Sequence, residues 1–203
     1  MSPVVLFTLI VLVAIVVGDQ VLRRHVANKL TGLYARGQYD ELLDYLGGTL
    51  VSLCYPRYNR DYMRANALEQ SGRAEEAVAQ YRELLAAKCT DEQRKDLIAK
   101  AFVAFLEQGH NDDACALLPE IADKCDEGFS AYARTLYDVM ANHSHAYLEQ
   151  MKAELPEATG LRRMQLHYLL ACQYRNVGDQ KSAAEHEVLA SEELQKLAQG
   201  AQT

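Results

Sequence analysis

QSGRAEEAVAQYRELL, residues 70–85, reads as the end of one helix, a tight turn and the start of a second helix. In the second helix, Ala77, Tyr81 and Leu84 are spaced so that they share one face. Gly72 stands where a chain leaving a helix often adopts a left-handed backbone conformation, which glycine accepts without steric cost. The stretch therefore predicts a helical hairpin with its turn at Gly72.

The same kind of turn recurs along the chain. It is found at Gly37 in ARGQYDELLDYL, at Gly109 in EQGHNDDACALL and at Gly178 in NVGDQKSAAEHEVLA. The last interval is about twice the others, so a further turn is predicted near residue 143, where the sequence DVMANHSHAYLEQM has no glycine. A period of this length predicts stacked helical hairpins, because one hairpin cannot bury its apolar face alone. An irregular all-α bundle with coincidental turns is the alternative.

The pattern resembles the tetratricopeptide repeat family. The resemblance rests on the turn glycine, a small or apolar residue five positions later and a larger residue four positions after that. These sets are Gly37, Leu42 and Leu46; Gly72, Ala77 and Tyr81; Gly109, Ala114 and Leu118; and Gly178, Ala183 and Glu187. The resemblance covers residues 23–197 and implies about five repeats of about 34 residues. It implies an all-α fold, a right-handed superhelix (α-solenoid) of helical hairpins.

Composition excludes several classes of function. The chain has 203 residues with only 4 prolines and no strand-like alternation, which is typical of an all-α protein. A net charge of −7 disfavours general binding to nucleic acid. The five cysteines form no CxxC pair, and no phosphate loop, nucleotide fingerprint or nucleophile motif occurs. No cofactor or metal is predicted, although His143 and His145 could converge in a turn with Asp138 or Cys125.

The N-terminal residues 1–22 read MSPVVLFTLIVLVAIVVGDQVL, and from Val4 to Val17 only Thr8 is polar. This run predicts one transmembrane helix. No basic residue precedes it and no small-residue cleavage motif follows it, so an anchor is favoured over a secretory signal. Basic residues follow the run, and the positive-inside rule then places the large domain in the cytoplasm. We expect a single-pass protein of the cell membrane, with an anchor in residues 1–22 and a repeat domain in residues 23–203.

The resemblance implies that a partner would bind on the concave face, which the first helices of the hairpins line. Asn66 and Lys100 resemble part of a carboxylate clamp found in some repeats of this family, but its other basic residues are missing. That specificity is therefore not carried over. The candidate partner-binding residues are Tyr62, Asn66, Glu69, Gln70, Val103, Leu106, Tyr168 and Arg175.

The sequence thus predicts a non-catalytic, membrane-anchored scaffold or adaptor that binds a protein or peptide partner through the concave face. One alternative is a structural subunit that packs in a larger membrane complex. Another is an enzyme with an unrecognised site that contains histidine. Fold alone does not decide between these functions.

Overall fold

The computed structural model describes residues 3–200, with side chains from residue 16 onward. This part of the chain is all-α: it forms eleven helices and contains no strand. The helices are α1 (Pro3–Ala35), α2 (Tyr39–Leu46), α3 (Thr49–Cys54), α4 (Arg57–Gln70), α5 (Ala74–Ala86), α6 (Asp91–Glu107), α7 (Asn111–Lys124), α8 (Glu127–Met140), α9 (Leu148–Glu154), α10 (Gly160–Asn176) and α11 (Gln180–Gly200).

Ten of these helices follow one another as five hairpins, from α1 with α2 to α10 with α11. The extra helix is the short α3, which follows the break that Gly47 and Gly48 make after Leu46. The chain divides into two compact units: unit 1 runs up to Ala104 and unit 2 begins at Phe105, so the boundary falls inside α6. The predicted superhelix concerns the stacking of the whole array and stays a prediction.

The four glycine turns have the backbone conformation that the sequence predicts. Gly37, Gly72, Gly109 and Gly178 have φ values of +68°, +76°, +74° and +84°. At Gly72, its own N–H donates to the carbonyl of Glu69 (3.1 Å), and the next N–H, of Arg73, donates to that of Leu68 (2.9 Å). The other three turns have the same pair of bonds. This Schellman arrangement satisfies carbonyls that the helix end would otherwise leave without a donor.

The turn without glycine lies where the period predicts it, between α8 and α9. His143 takes the left-handed conformation there, with φ of +54°. Its hydrogen bonding differs from that of the glycine turns, because the N–H of Ser144 donates to the carbonyl of Asp138 at 3.1 Å. Asn176 of α10 supports this wider turn: its Nδ2 donates to the carbonyls of Val139 (2.8 Å) and Ser144 (2.9 Å).

The repeat positions form the core of the hairpins. Five residues after each turn glycine stand Leu42, Ala77, Ala114 and Ala183, and all four are buried. Tyr81 is fully buried as well, and its hydroxyl reaches Glu69 of the preceding helix at 2.9 Å. Small residues at the first position let the two helices of a hairpin approach closely, and larger ones one turn later fill the space between them.

The structure of the N-terminal stretch does not agree with the predicted localisation in the cell membrane. Helix α1 runs without a break across residues 22 and 23, the predicted boundary between anchor and repeat domain, and that boundary stays a prediction. The side chains of residues 1–15, which hold most of the predicted anchor, lie outside the described residues. Within the described part of the chain, no helix combines the length and the apolar character that crossing a bilayer requires. From Val16 onward α1 carries Asp19, Arg23 and Arg24, charges that are costly in hydrocarbon. The prediction of a single-pass membrane protein with a cytoplasmic domain is therefore wrong on this finding.

Candidate functional site

A groove of about 490 Å³ lies in unit 1 along the first helices of three successive hairpins. Four tyrosines and one methionine give it an aromatic and apolar floor, and amide, hydroxyl and carboxylate groups complete its lining. We call this site the tyrosine groove. Its lining residues are Thr31 and Tyr34 of α1, Tyr55 after α3, Tyr58, Asn59, Tyr62, Met63 and Asn66 of α4, and Gln93 and Asp96 of α6.

A ladder of polar side-chain pairs joins α4 to α6 along this groove. Gln93 Nε2 donates to Asn59 Oδ1 at 3.3 Å, and the Tyr62 hydroxyl donates to the Asp96 carboxylate. Lys100 Nζ donates to Asn66 Oδ1 at 3.0 Å. The partners in each of these pairs are 34 residues apart. The period of the sequence is therefore visible in the contacts, because equivalent positions of neighbouring repeats meet.

Local structure fixes the end of the ladder at Gln93. At the start of α6, the N–H of Gln93 donates to Thr90 Oγ1 (3.2 Å), and the N–H of Thr90 donates to Gln93 Oε1 (3.0 Å). This reciprocal capping box holds the Gln93 side chain beside the groove. Tyr58 adds a bond from its hydroxyl to the Gln93 carbonyl at 3.1 Å. Its ring stacks on that of Tyr62, with centroids 6.0 Å apart and planes at 15°.

Three tyrosines of the groove, Tyr34, Tyr58 and Tyr62, stay neutral at physiological pH. Burial raises the pKa of Tyr58 to about 12. Burial, and next the hydrogen bond to Asp96, raise the pKa of Tyr62. Burial also raises the pKa of Tyr34. Asp96 is therefore the residue that brings a formal charge to the lining of the tyrosine groove.

The predicted partner-binding residues of the second hairpin divide into two groups. Tyr62 and Asn66 line the tyrosine groove, and both are half-buried. Glu69 and Gln70 are exposed further along α4 and do not line it. Glu69 accepts the hydroxyl of Tyr81, so its carboxylate holds the hairpin together.

The other four predicted residues lie elsewhere in their units. Val103 is half-buried on α6. Leu106 is only 4% exposed, so it is a core residue and offers almost no surface to a partner. In unit 2, the Tyr168 hydroxyl donates to Glu107 at 3.3 Å, and Arg175 Nε donates to Glu187 at 3.1 Å.

Sequence reasoning missed most of the groove. Tyr58 lies one helical turn before Tyr62 on the same face of α4, so helical spacing alone points to it. Gln93 and Asp96 stand 34 residues after Asn59 and Tyr62, and the repeat period therefore identifies them once one partner is known. Tyr34 stands three residues before Gly37, as the candidate Glu69 stands before Gly72, so the period points to it as well. Tyr55 gave no comparable signal, because it follows the irregular α3.

Unit 2 contains a cavity of its own, of about 700 Å³, between α8, α9 and α10. Its apolar lining includes Phe129, Tyr132 and Met151, and burial raises the pKa of Tyr132 to about 12. On its edge, Arg162 binds Glu154 through two bonds of 2.6 and 2.8 Å. In this bidentate ion pair the guanidinium of Arg162 and the carboxylate of Glu154 bind each other, so neither charge is left over for a ligand of the cavity.

Two histidines that are far apart in the sequence, His167 and His186, are in contact in unit 2. Nδ1 of His167 on α10 lies 2.9 Å from Nδ1 of His186 on α11, so one ring donates and the other accepts. His167 is 3% exposed, and its Nε2 is buried without a hydrogen-bond partner. Burial lowers the pKa of both residues, and for His167 the neighbouring His186 adds to the effect. The other groups that face the pair are Arg163 and Tyr174 of α10 and Glu185, Glu193 and Lys196 of α11.

The predicted turn histidines do not form a site of this kind. His143 and His145 are both exposed. Over the described residues, no group of three or more histidine, cysteine, aspartate or glutamate side chains is placed to hold a metal ion.

Fold and groove define a helical-hairpin repeat protein. Residues 59–144 match the family model described as "Tetratrico peptide repeat". No curated protein matches the chain.

Two solved structures share the fold, each with a TM-score of 0.53 over 86% of this chain and 96% of the other. MamA 41-end from Desulfovibrio magneticus RS-1 is 19% identical, and a double mutant of MamA from RS-1 is 18% identical. Identities this low show the fold alone. The family model thus matches the middle of the chain, and the two structures share its all-α fold of helical hairpins.

Proposed function

We propose that this protein is a non-catalytic interaction module that binds a segment of a partner protein in the tyrosine groove. The observation that carries the proposal is an open groove of about 490 Å³ with an aromatic floor and a polar ladder along α4 and α6. Tyrosine supplies large contact area with little loss of side-chain entropy, and it is enriched where proteins bind partners. A helix-lined groove of this kind suits a short extended or helical segment.

The ladder suits a peptide backbone in particular. Asn59 and Asn66 both accept through Oδ1 in their contacts with α6, so their Nδ2 groups are in position to donate to a ligand. A bound segment offers a carbonyl at every residue, and these amide donors, two turns apart on α4, can satisfy two of them. The stacked rings of Tyr58 and Tyr62 then contact its side chains.

A peptide selection with matched variants tests the proposal. A library of random twelve-residue peptides is displayed on phage, selected against the full chain, and the binders are synthesised and measured by fluorescence anisotropy. We expect Tyr62→Ala with Asn66→Ala to weaken binding by about tenfold or more, because a ring contact and an amide donor are lost together. Tyr132→Ala with Gln165→Ala likewise removes one tyrosine and one side-chain amide, here from the cavity of unit 2, and serves as control.

The outcome is decided by the difference between these two variants. Circular dichroism first establishes that each has the helix content of the unaltered protein. Unchanged peptide affinity in the folded Tyr62→Ala, Asn66→Ala variant would overturn the proposal. An equal loss in the control variant would overturn it too, because binding would then not depend on the groove.

A structural subunit that packs sideways in a larger assembly is the second candidate. Three exposed apolar residues of α11 favour it, namely Val188, Leu189 and Leu194, which are 58%, 39% and 56% exposed. Such a subunit should keep its partner when the groove is altered and lose it in a Val188→Ser, Leu194→Ser variant. A pull-down with the two variants side by side separates the candidates.

A further inference from the structure

We propose that the tyrosine groove recognises an arginine side chain of the bound segment. This inference rests on the proposed function and adds to it the chemical class of the partner. It follows from three properties of the lining: its charge, the direction of its hydrogen bonds and the orientation of its aromatic rings.

The charge of the lining is negative. Of the ten residues that line the groove, Asp96 carries the formal charge, and its side chain is exposed. The hydroxyls of Tyr58 and Tyr62 remain protonated, because burial raises the pKa of Tyr58 to about 12 and also raises the pKa of Tyr62. An acidic ligand would be repelled by Asp96, and a cationic one would be attracted.

The hydrogen bonds leave acceptors in the same part of the groove. The Tyr58 hydroxyl gives its proton to the Gln93 carbonyl, and the Tyr62 hydroxyl gives its proton to Asp96. Both phenol oxygens therefore keep lone pairs to accept with, and an ionised carboxylate accepts up to about four bonds. Three hydrogen-bond acceptors, the hydroxyl oxygens of Tyr58 and Tyr62 and the carboxylate of Asp96, therefore line this groove on α4 and α6. A guanidinium carries five N–H donors and no acceptor, so it matches this set better than an ammonium or a neutral group.

The ring faces suit a flat cation. Tyr58 and Tyr62 are nearly parallel, at 15°, and guanidinium stacks on such surfaces. One cation of the protein already lies over this aromatic surface: Lys100 Nζ is 5.1 Å from the centroid of the Tyr62 ring. Lys100 is also bonded to Asn66, towards the end of the groove away from Tyr58. The part of the groove near Tyr58 and Asp96 is where an arginine of the ligand would lie.

Citrulline provides the test, because it keeps the shape of arginine and removes the charge. The first probe is the pair Ac-Gly-Ser-Arg-Ser-Gly-NH₂ and the same peptide with citrulline in place of arginine. The second is the tightest arginine-containing peptide from the phage selection, compared with its citrulline form. We expect the arginine forms to bind the full chain about tenfold more tightly, as a charge-assisted bond to Asp96 requires. In Asp96→Asn, which keeps an acceptor for Tyr62, this preference should fall to about twofold or less. Asp40→Asn makes the same change in net charge at an exposed position of α2 and should leave the preference intact.

The outcomes separate this inference from the proposed function. Equal affinity for the arginine and citrulline forms, with binding still lost in Tyr62→Ala, Asn66→Ala, overturns the arginine specificity and leaves the groove as the binding site. A preference for arginine that persists in Asp96→Asn also overturns the inference. If the groove variant binds all peptides normally, the proposed function falls and this inference falls with it.

Discussion

Replacing Gly72 with alanine should destabilise the protein by about 1 kcal/mol, entirely through the backbone. Gly72 has φ of +76°, and a Cβ added there would meet no atom within 4 Å. The substitution therefore creates no clash. An L-residue in the left-handed region costs about 1–2 kcal/mol. Alanine also restricts the unfolded chain, which returns about 0.4–1 kcal/mol. The expected net loss in the free energy of unfolding lies between about 0 and 1.6 kcal/mol, and the centres of the two ranges give about 0.8 kcal/mol.

Urea unfolding followed by circular dichroism measures this loss, with Gly47→Ala as the matched control. Gly47 ends α2 with φ of −75°, so alanine fits there and should raise the free energy of unfolding by about 0.4–1 kcal/mol, because it restricts the unfolded chain in the same way. Gly109 and Gly178 have the same conformation as Gly72 and the same open surroundings, so alanine should cost the same at all three. The unfolded-state gain is common to both variants, so Gly72→Ala should be less stable than Gly47→Ala by about 1–2 kcal/mol; equal stability of the two would refute the reasoning.

Three further predictions concern unit 2. Because burial lowers the pKa of His167 and His186 below the usual value near 6.5, the unfolded chain binds more protons there; stability should be constant above pH 6.5 and fall below it. Urea titrations at several pH values should show a smaller fall in His186→Gln. Asn176→Ala should cost about 1–2 kcal/mol in the same assay, since two turn carbonyls lose a donor, and amide exchange at residues 141–147 should accelerate; exchange that stays unchanged would contradict this role. His143→Gly should not destabilise, because glycine relieves a φ of +54° at an exposed site; a loss above about 0.5 kcal/mol would count against strain there.

The turns could be predicted from sequence because their requirement is local. A left-handed residue after a helix selects glycine, and the four glycines stand out against helical spacing on both sides. The turn at His143 has no such residue, and only the period located it. Its stability depends instead on Asn176, which is distant in sequence, so no local pattern could reveal that contact.

The groove could be predicted only in part. Tyr62 and Asn66 follow from their position on a first helix, and the period extends the prediction to Asp96. Leu106 is buried in the structure, and the helix pattern does not say which of two neighbouring apolar positions faces the core. Helix α7 contains Pro119 and still runs as one helix from Asn111 to Lys124. One lost hydrogen bond is tolerated when both sides of a helix are packed.

The pair of His167 and His186 could not be predicted at all. The two residues are 19 positions apart on the two helices of the last hairpin, an interval that matches neither helical spacing nor the repeat period. Their contact depends on the register of α11 against α10, and tertiary packing determines that register. The same reasoning applies to the ion pair of Arg162 and Glu154, which joins the ends of neighbouring helices.

The tyrosine groove as a binding site is tested most directly by NMR of the methionine methyl groups. Met63 lines the groove, and Met151 lines the cavity of unit 2, so each reports on one site. The full chain labelled with ¹³C at the methionine methyls is titrated with the tightest selected arginine peptide. The account predicts that the Met63 signal shifts and saturates with the measured affinity while the Met151 signal stays in place. A shift of Met151 alone, or saturation of binding with no shift of Met63, would contradict it.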